Sequence, residues 1–368
     1  MHLDEKPNKL KREDMRPQKI TPTISRIYYF LEIAIVMILN TVLLILMQLL
    51  LPYDRDNLNY VQSLIANYVF PLISLLIGTV LGLIIVKKLV VESERIPNLD
   101  GTSPISEVFS TFKITKKNFK YQLMYAMLIL FLIYVPIDFL ANIIPGILEF
   151  TSEAFSESTT HGFLNQNNFT IFITFAFAVY FVSSFREELF YRALAILRGR
   201  RHVGLYSSIM ITSFSFALSH FIYIITNETT MQAPLGAIIW GATAFLTGSI
   251  SALFMGKKRY IWPLIIAHAL NNVISATSVW LYNNNGASYT EFSQIGVFWD
   301  IAIPLYVPLL LVSIILFIVF RKHTKSGIKQ YFEIGAKYGQ ELGDSKVKLV
   351  IFDVILSILI FITSLLMF

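Results

Sequence analysis

Apolar positions fall into nine long runs with polar segments between them: 27–51, 65–86, 121–148, 170–197, 203–225, 234–255, 261–281, 299–320 and 349–368. Uninterrupted stretches of about 20 apolar residues are long enough to cross a bilayer as helices. The pattern predicts an all-α, polytopic helical membrane protein with about nine transmembrane helices, within a range of eight to ten. The polar segments divide it further. Residues 1–26 read as an amino-terminal arm and 27–90 as a two-span module. The stretch 91–120, with Pro97, Gly101 and Pro104, reads as a linker ahead of the spans at 121–282. At 299–368 two final spans flank a connector, 321–348. There Ile328, Tyr331, Phe332, Ile334 and Tyr338 sit among lysines, as in a helix lying on a membrane surface. A solvated connector fits this segment almost as well. No internal repeat and no low-complexity tract interrupts the chain.

Charge assigns sides. Of 30 Lys and Arg residues, 27 lie in 1–26, 87–120, 198–202, 256–260 and 321–348, which share one side if the spans alternate. The opposite loops, 52–64, 149–169, 226–233 and 282–298, hold only Arg55. The positive-inside rule then puts the amino terminus in the cytoplasm of a multi-pass cell-membrane protein. The polar arm is too long for a cleaved leader, so 27–51 is expected to stay as an anchor. The net charge of +6 suits loops facing anionic lipid, so membrane lipid is the expected partner and nucleic acid is not. With 55% hydrophobic and 15% charged residues, the composition departs from that of a soluble domain. Zero cysteines exclude disulfides, thiol catalysis and palmitoylation. The sequons at Asn168 and Asn227 matter only in a secretory-pathway protein.

Charges inside the runs carry the chemical information. Each ionised side chain near a span centre costs roughly 2.5–3.5 kcal/mol on insertion scales, yet FREELFYR (185–192) holds Arg186, Glu187, Glu188 and Arg192. Glu32, Asp300 and Asp353 lie near span ends, where a carboxylate is expected to reach headgroups or water. Asp138, behind Pro136, is one carboxylate beside a helix kink. Three sets stand apart: Glu187-Glu188-x-x-x-Arg192, Phe216-x-x-x-His220 and His268-x-x-Asn271-Asn272. Glu188 and Arg192 share a helix face and are expected to pair. Glu187, turned by about 100°, is left available for chemistry. His268 and Asn272 also share a face, and their N–H groups suit an oxyanion hole. Asn271 points elsewhere and is expected to pack between helices, while Phe216 walls the site one turn from His220.

Depth supplies a check. At about 1.5 Å per residue, Glu187 lies roughly 16 Å from Arg198, and His268 about 14 Å from Arg259. An unbroken helix would put His220 about 28 Å from Arg201, too far for a shared site. A break is therefore expected: either 194–205 runs along the interface, or the fifth span starts near Ser207. With that break, the three helices converge on a cavity expected to open to the cytoplasm.

EELFYR (187–192), FALSH (216–220) and HALNN (268–272) resemble, in order, the EExxxR, FxxxH and HxxxN motifs of the CAAX-protease and bacteriocin-processing (Abi) family of intramembrane proteases. The resemblance covers about 170–280. It implies that 121–282 is an intramembrane protease core with a catalytic centre of four to five helices. Glu187 would activate water with help from His220, His268 and Asn272 would stabilise the oxyanion, and Glu188 and Arg192 would order the site. The implied activity is endoproteolysis of a membrane-associated peptide or protein, in peptide maturation or bacteriocin self-immunity. No cofactor is expected. The alternative is a zinc ion held by Glu187, His220 and His268. Two other readings stay open, a non-catalytic immunity or scaffold protein and an ion- or proton-coupled transporter. Other membrane protease signatures, HExxH, GxGD and GxSG, are missing from the sequence.

Overall fold

The computed structural model describes residues 21–50, 59–91, 103–144, 151, 163–164, 167–226, 234–284 and 298–365. All regular elements among them are helical. In chain order they are α1 (Pro22–Leu49), α2 (Val61–Leu89), α3 (Pro104–Phe109), α4 (Phe119–Asn142), α5 (Phe169–His202) and α6 (Leu205–Thr226). Then come α7 (Pro234–Lys258), α8 (Trp262–Asn284), α9 (Trp299–Val319), α10 (Arg321–Phe332), α11 (Ile334–Leu342) and α12 (Lys346–Ser364). Among the described residues, 8 stretches are long and apolar enough to cross a membrane: α1, α2, α4, α5, Ile238–Lys258 of α7, α8, α9 and Arg321–Ser364. The 22-residue α6 fills the remaining position in the sequence pattern. This is an all-α, multi-pass membrane protein. Most of the predicted loops (52–58, 149–150, 152–162, 165–166, 227–233 and 285–297), 92–102 of the linker, 145–148 of the third predicted span and 1–20 of the basic arm lie outside the described residues.

Local chemistry explains where these helices start and widen. Thr21 caps α1 with Pro22 as its first residue, and the Asn168 carboxamide oxygen accepts from the N–H groups of Thr170 and Ile171 at the start of α5. Wide π turns at Ile65–Val69, Leu130–Tyr134 and Phe298–Ala302 each end two residues before a proline, Pro71, Pro136 or Pro304. Proline cannot donate the usual backbone bond and its ring crowds the carbonyl one turn earlier, which a widened turn relieves. A longer π segment, Glu188–Ile196 in α5, has no proline after it.

Around α5 the packing is tight. α1 lies against α2 at Gly78 and Gly82, where a Cβ would come within 2.8 Å of the Asn40 backbone nitrogen and 2.9 Å of the Val36 Cα. Such close backbone approach is the role of small residues four apart in membrane helices. Tyr29 of α1 donates to the Ala195 carbonyl at 3.0 Å, satisfying a backbone group within the π segment. Residues 103–112 dock beneath the α7–α8 turn. There the Ile261 N–H donates to the Thr111 carbonyl (3.3 Å) and the Trp262 indole to that of Phe112 (3.0 Å).

Two sequence expectations about charge need correction. Glu32 does not reach headgroups or water. It is buried and takes a two-pronged bond from Arg198 at 2.6 and 3.0 Å, with His202 Nε2 at 2.9 Å. Asp353 is buried too, against Arg26 at 2.6 Å and the Tyr338 hydroxyl at 2.9 Å. Asp300 alone of the three is exposed. Arg198 itself is 1% exposed and also binds Glu107 at 2.9 Å, so it is no surface marker.

The expected break between the fourth and fifth spans is present, close to the position expected near Ser207. α5 continues past Arg198 to His202, turns at Val203–Gly204 with Gly204 at φ +93°, and α6 begins at Leu205 rather than Ser207. Glycine takes that left-handed conformation without strain. The carboxylate of Glu341, from α11, caps α6 by accepting from the N–H groups of Tyr206 and Ser207, both at 2.9 Å.

Candidate active site

The hairpin geometry of α5 and α6 resolves the depth problem. Glu187 and His220 lie equally far along the chain from the Val203–Gly204 turn, so antiparallel packing brings them to one level. That level is about 24 Å from the turn at helical rise. The α7–α8 turn is bonded to residues 111–112, and His268 of α8 meets Glu188 at 2.9 Å, so it stands at the same level. Glu187, Phe216, His220, His268, Asn271 and Asn272 all line one cavity of about 350 Å³.

The two adjacent glutamates differ. Glu188 is wholly buried. Its Oε2 lies 3.4 Å from Arg192 Nε, as the four-residue spacing predicts, and its Oε1 accepts from His268 Nδ1 at 2.9 Å. Glu187 faces the cavity with 14% of its side chain exposed, its Oε2 3.7 Å from His268 Nε2. That is beyond hydrogen-bond length. One imidazole thus stands between both carboxylates, a connection that sequence spacing did not indicate.

Arg192 is fully buried, and its guanidinium carbon lies 4.6 Å from the centre of the Phe216 ring. Phe216 in turn meets His220 edge-on, with centroids 4.6 Å apart. Phe216 therefore walls the site as expected and also links Arg192 to His220. His220 Nδ1 donates to the Phe216 carbonyl at 2.9 Å. The carbonyl can only accept, so the proton sits on Nδ1. In the neutral ring Nε2 then keeps its lone pair. Asn272 Nδ2 reaches Ser184 Oγ at 3.5 Å, which is a loose contact. Asn271, expected to pack or bond between helices, is buried. It lines the cavity, 9% exposed, and its Oδ1 has no hydrogen-bond partner.

Sequence reasoning passed over several contributors. Tyr134, in the α4 π turn, stacks on His268 at 5.8 Å and 13°. Ser184 is buried beside the motif, and Arg186, already marked by its charge in FREELFYR, is buried and lines the cavity. Only its place in a charged motif marked Arg186; a tyrosine or serine in an apolar run carries no such signal.

The direction of the cavity overturns one expectation. Its lining extends from the motif residues to Asn67 on α2, Asn142 on α4, Tyr180 on α5, Ile239 on α7 and Val279 on α8. These lie toward the helix ends that carry the basic-poor loops. Among the described residues, none of the lining comes from the segments rich in Lys and Arg. The buried pairs of Arg198 with Glu32 and Glu107 lie at the opposite end, outside the lining. The motif residues form its floor.

As for a metal, Glu187, His220 and His268 line the cavity together. Among the described residues, however, no three His, Cys, Asp or Glu side chains are placed to hold one ion. One nitrogen of His268 is already bonded to Glu188.

Fold and site together define a multi-pass helical membrane protein with a carboxylate–imidazole cluster at the floor of an intramembrane cavity. The family model described as Rce1-like, type II CAAX prenyl endopeptidase Rce1-like, matches residues 169–274. That segment carries all three motifs, and the match agrees with the resemblance to the CAAX-protease and bacteriocin-processing family of intramembrane proteases. The match covers under a third of the chain. No curated protein and no solved structure matches.

Proposed function

We propose that the chain is an intramembrane endopeptidase in which Glu187 and His220 activate a water for attack on a peptide carbonyl. The observation that carries this reading is the division of labour between neighbouring carboxylates. Glu188 is spent on Arg192 and His268, whereas Glu187 presents an oxygen to the cavity. A clamp that only held helices together would use both. The His220 Nε2 lone pair gives a second acceptor for the water's proton.

His268 gives its Nδ1 to Glu188 and turns Nε2 toward the cavity, where an Nε2–H can donate to the oxyanion alongside Asn272 Nδ2. The proton taken by Glu187 passes to the leaving amine as the tetrahedral intermediate collapses. No metal is needed at any step. Glu188 and Arg192 hold His268 and Phe216 and touch no reacting atom. With the basic loops at the cytoplasmic surface, a substrate enters from the opposite side of the membrane.

The test is cleavage of membrane-anchored peptides by the full chain in vesicles. Glu187→Gln and His220→Ala at matched expression should each abolish cleavage, and strong chelators should leave the unsubstituted chain active. Full activity in both variants would end the assignment.

A further inference from the structure

The cavity holds a second polar cluster that this chemistry does not use. Asp138, on α4 just past Pro136, stands in the wall. The Ser275 hydroxyl lies 2.8 Å from both of its carboxylate oxygens, and the Tyr306 hydroxyl donates to Oδ2. Asn142 Nδ2 fixes that tyrosine at 3.0 Å. Hydroxyls orient a carboxylate without balancing its charge. Among the described residues, no basic side chain pairs with Asp138.

One turn nearer the floor, on the same face of α8 as Ser275, is Asn271. Its buried Oδ1 lacks a hydrogen-bond partner and lines the same cavity. An oriented carboxylate and an orphaned carbonyl oxygen at membrane depth are both costly. Both are relieved by a group that brings positive charge and several N–H donors.

We infer that Asp138 and Asn271 form a subsite that receives a lysine or arginine side chain of the substrate and so sets specificity. The inference rests on the peptidase reading for its meaning. Ser275 is seven residues beyond His268, about 10 Å along α8. An extended peptide advances about 3.3 Å per residue. The basic residue therefore falls within about three residues of the bond cut.

Binding tests this separately from cleavage. The full chain carrying Glu187→Gln, which also removes the competing carboxylate, is placed in nanodiscs with lipid-anchored peptide twins. One twin has a single lysine and the other norleucine, with the position walked along the peptide. The lysine twin should bind about tenfold more tightly at one position, the range of a charge-assisted bond. Asp138→Asn, which keeps an oxygen for Ser275 and Tyr306, should erase that ratio, and Asn271→Leu should reduce it. Equal binding of the twins at every position, including no binding of either, overturns the subsite, as does a lysine preference that survives Asp138→Asn. Failure of the unsubstituted chain to cleave any twin would instead overturn the peptidase reading.

Discussion

Two adjacent glutamates with the same side chain should respond oppositely to the same one-atom change. Glu188→Gln removes the carboxylate that faces Arg192, whose three guanidinium nitrogens have no hydrogen-bond partner and whose side chain is 0% exposed. Breaking a buried ion pair on one side costs about 3–5 kcal/mol. The Phe216 ring under the guanidinium offsets about a third of that, since such contacts contribute about 1–2 kcal/mol when desolvated. A net loss of about 3 kcal/mol is expected. Glu187→Gln disturbs only a 3.7 Å approach to His268 at a partly open position. Its stability should stay within about 0.5 kcal/mol of the parent, while cleavage falls by about 10²–10⁴, the usual contribution of a general base. Thermal unfolding in nanodiscs, with cleavage measured on the same samples, reads both quantities. A third variant, Glu188→Gln with Arg192→Met, removes both charges and should recover most of the lost stability, because neutral replacement of a buried pair is tolerated. Equal destabilisation by the two single variants, or no recovery in the double, would refute the assignment of Glu188 as the paired carboxylate.

Other changes probe the frame around the site. Arg198→Met leaves Glu32 and Glu107 buried, though His202 and Arg201 still face them. A loss of about 3 kcal/mol in thermal unfolding is expected, and adding Glu32→Gln should restore part of it. Gly82→Leu drives a side chain into the Val36 backbone and should lower stability by about 1–3 kcal/mol, whereas an equivalent change at Gly339, which has open space around it, should be near neutral. Glu341→Ala strips the cap from α6 and should cost about 1 kcal/mol. Hydrogen exchange at residues 205–208 would then speed up while the rest of α6 stays protected.

Much of this arrangement can be read from residue order. Apolar runs mark the helices, and the spacing of Glu188 and Arg192 anticipates their pairing. The mismatch in depth between Glu187 and His220 shows that a break must exist. What could not be read follows from long-range contacts. Arg198 looks like a boundary residue because an arginine that opens a basic cluster at the end of an apolar run usually meets water. Here two carboxylates, distant in sequence, pull it inside. The same pairs lie at the basic end of the bundle, away from the cavity lining. The π segment at Glu188–Ile196 has no proline to announce it, and part of its backbone is satisfied by Tyr29 from another helix. Asp138 was visible as an oddity, but its hydroxyl partners come from α8 and α9, so no local pattern displays them.

The Val203–Gly204 turn has a further consequence for how this chain can change length. Because Glu187 and His220 are equidistant from it, the hairpin behaves as a ruler folded at its midpoint. A residue added on one arm alone slides one mark past the other and rotates the reactive side chain off the cavity. Matched additions on both arms lengthen the hairpin yet keep the marks level. Tolerated length changes between positions 188 and 219 should therefore occur in compensating pairs.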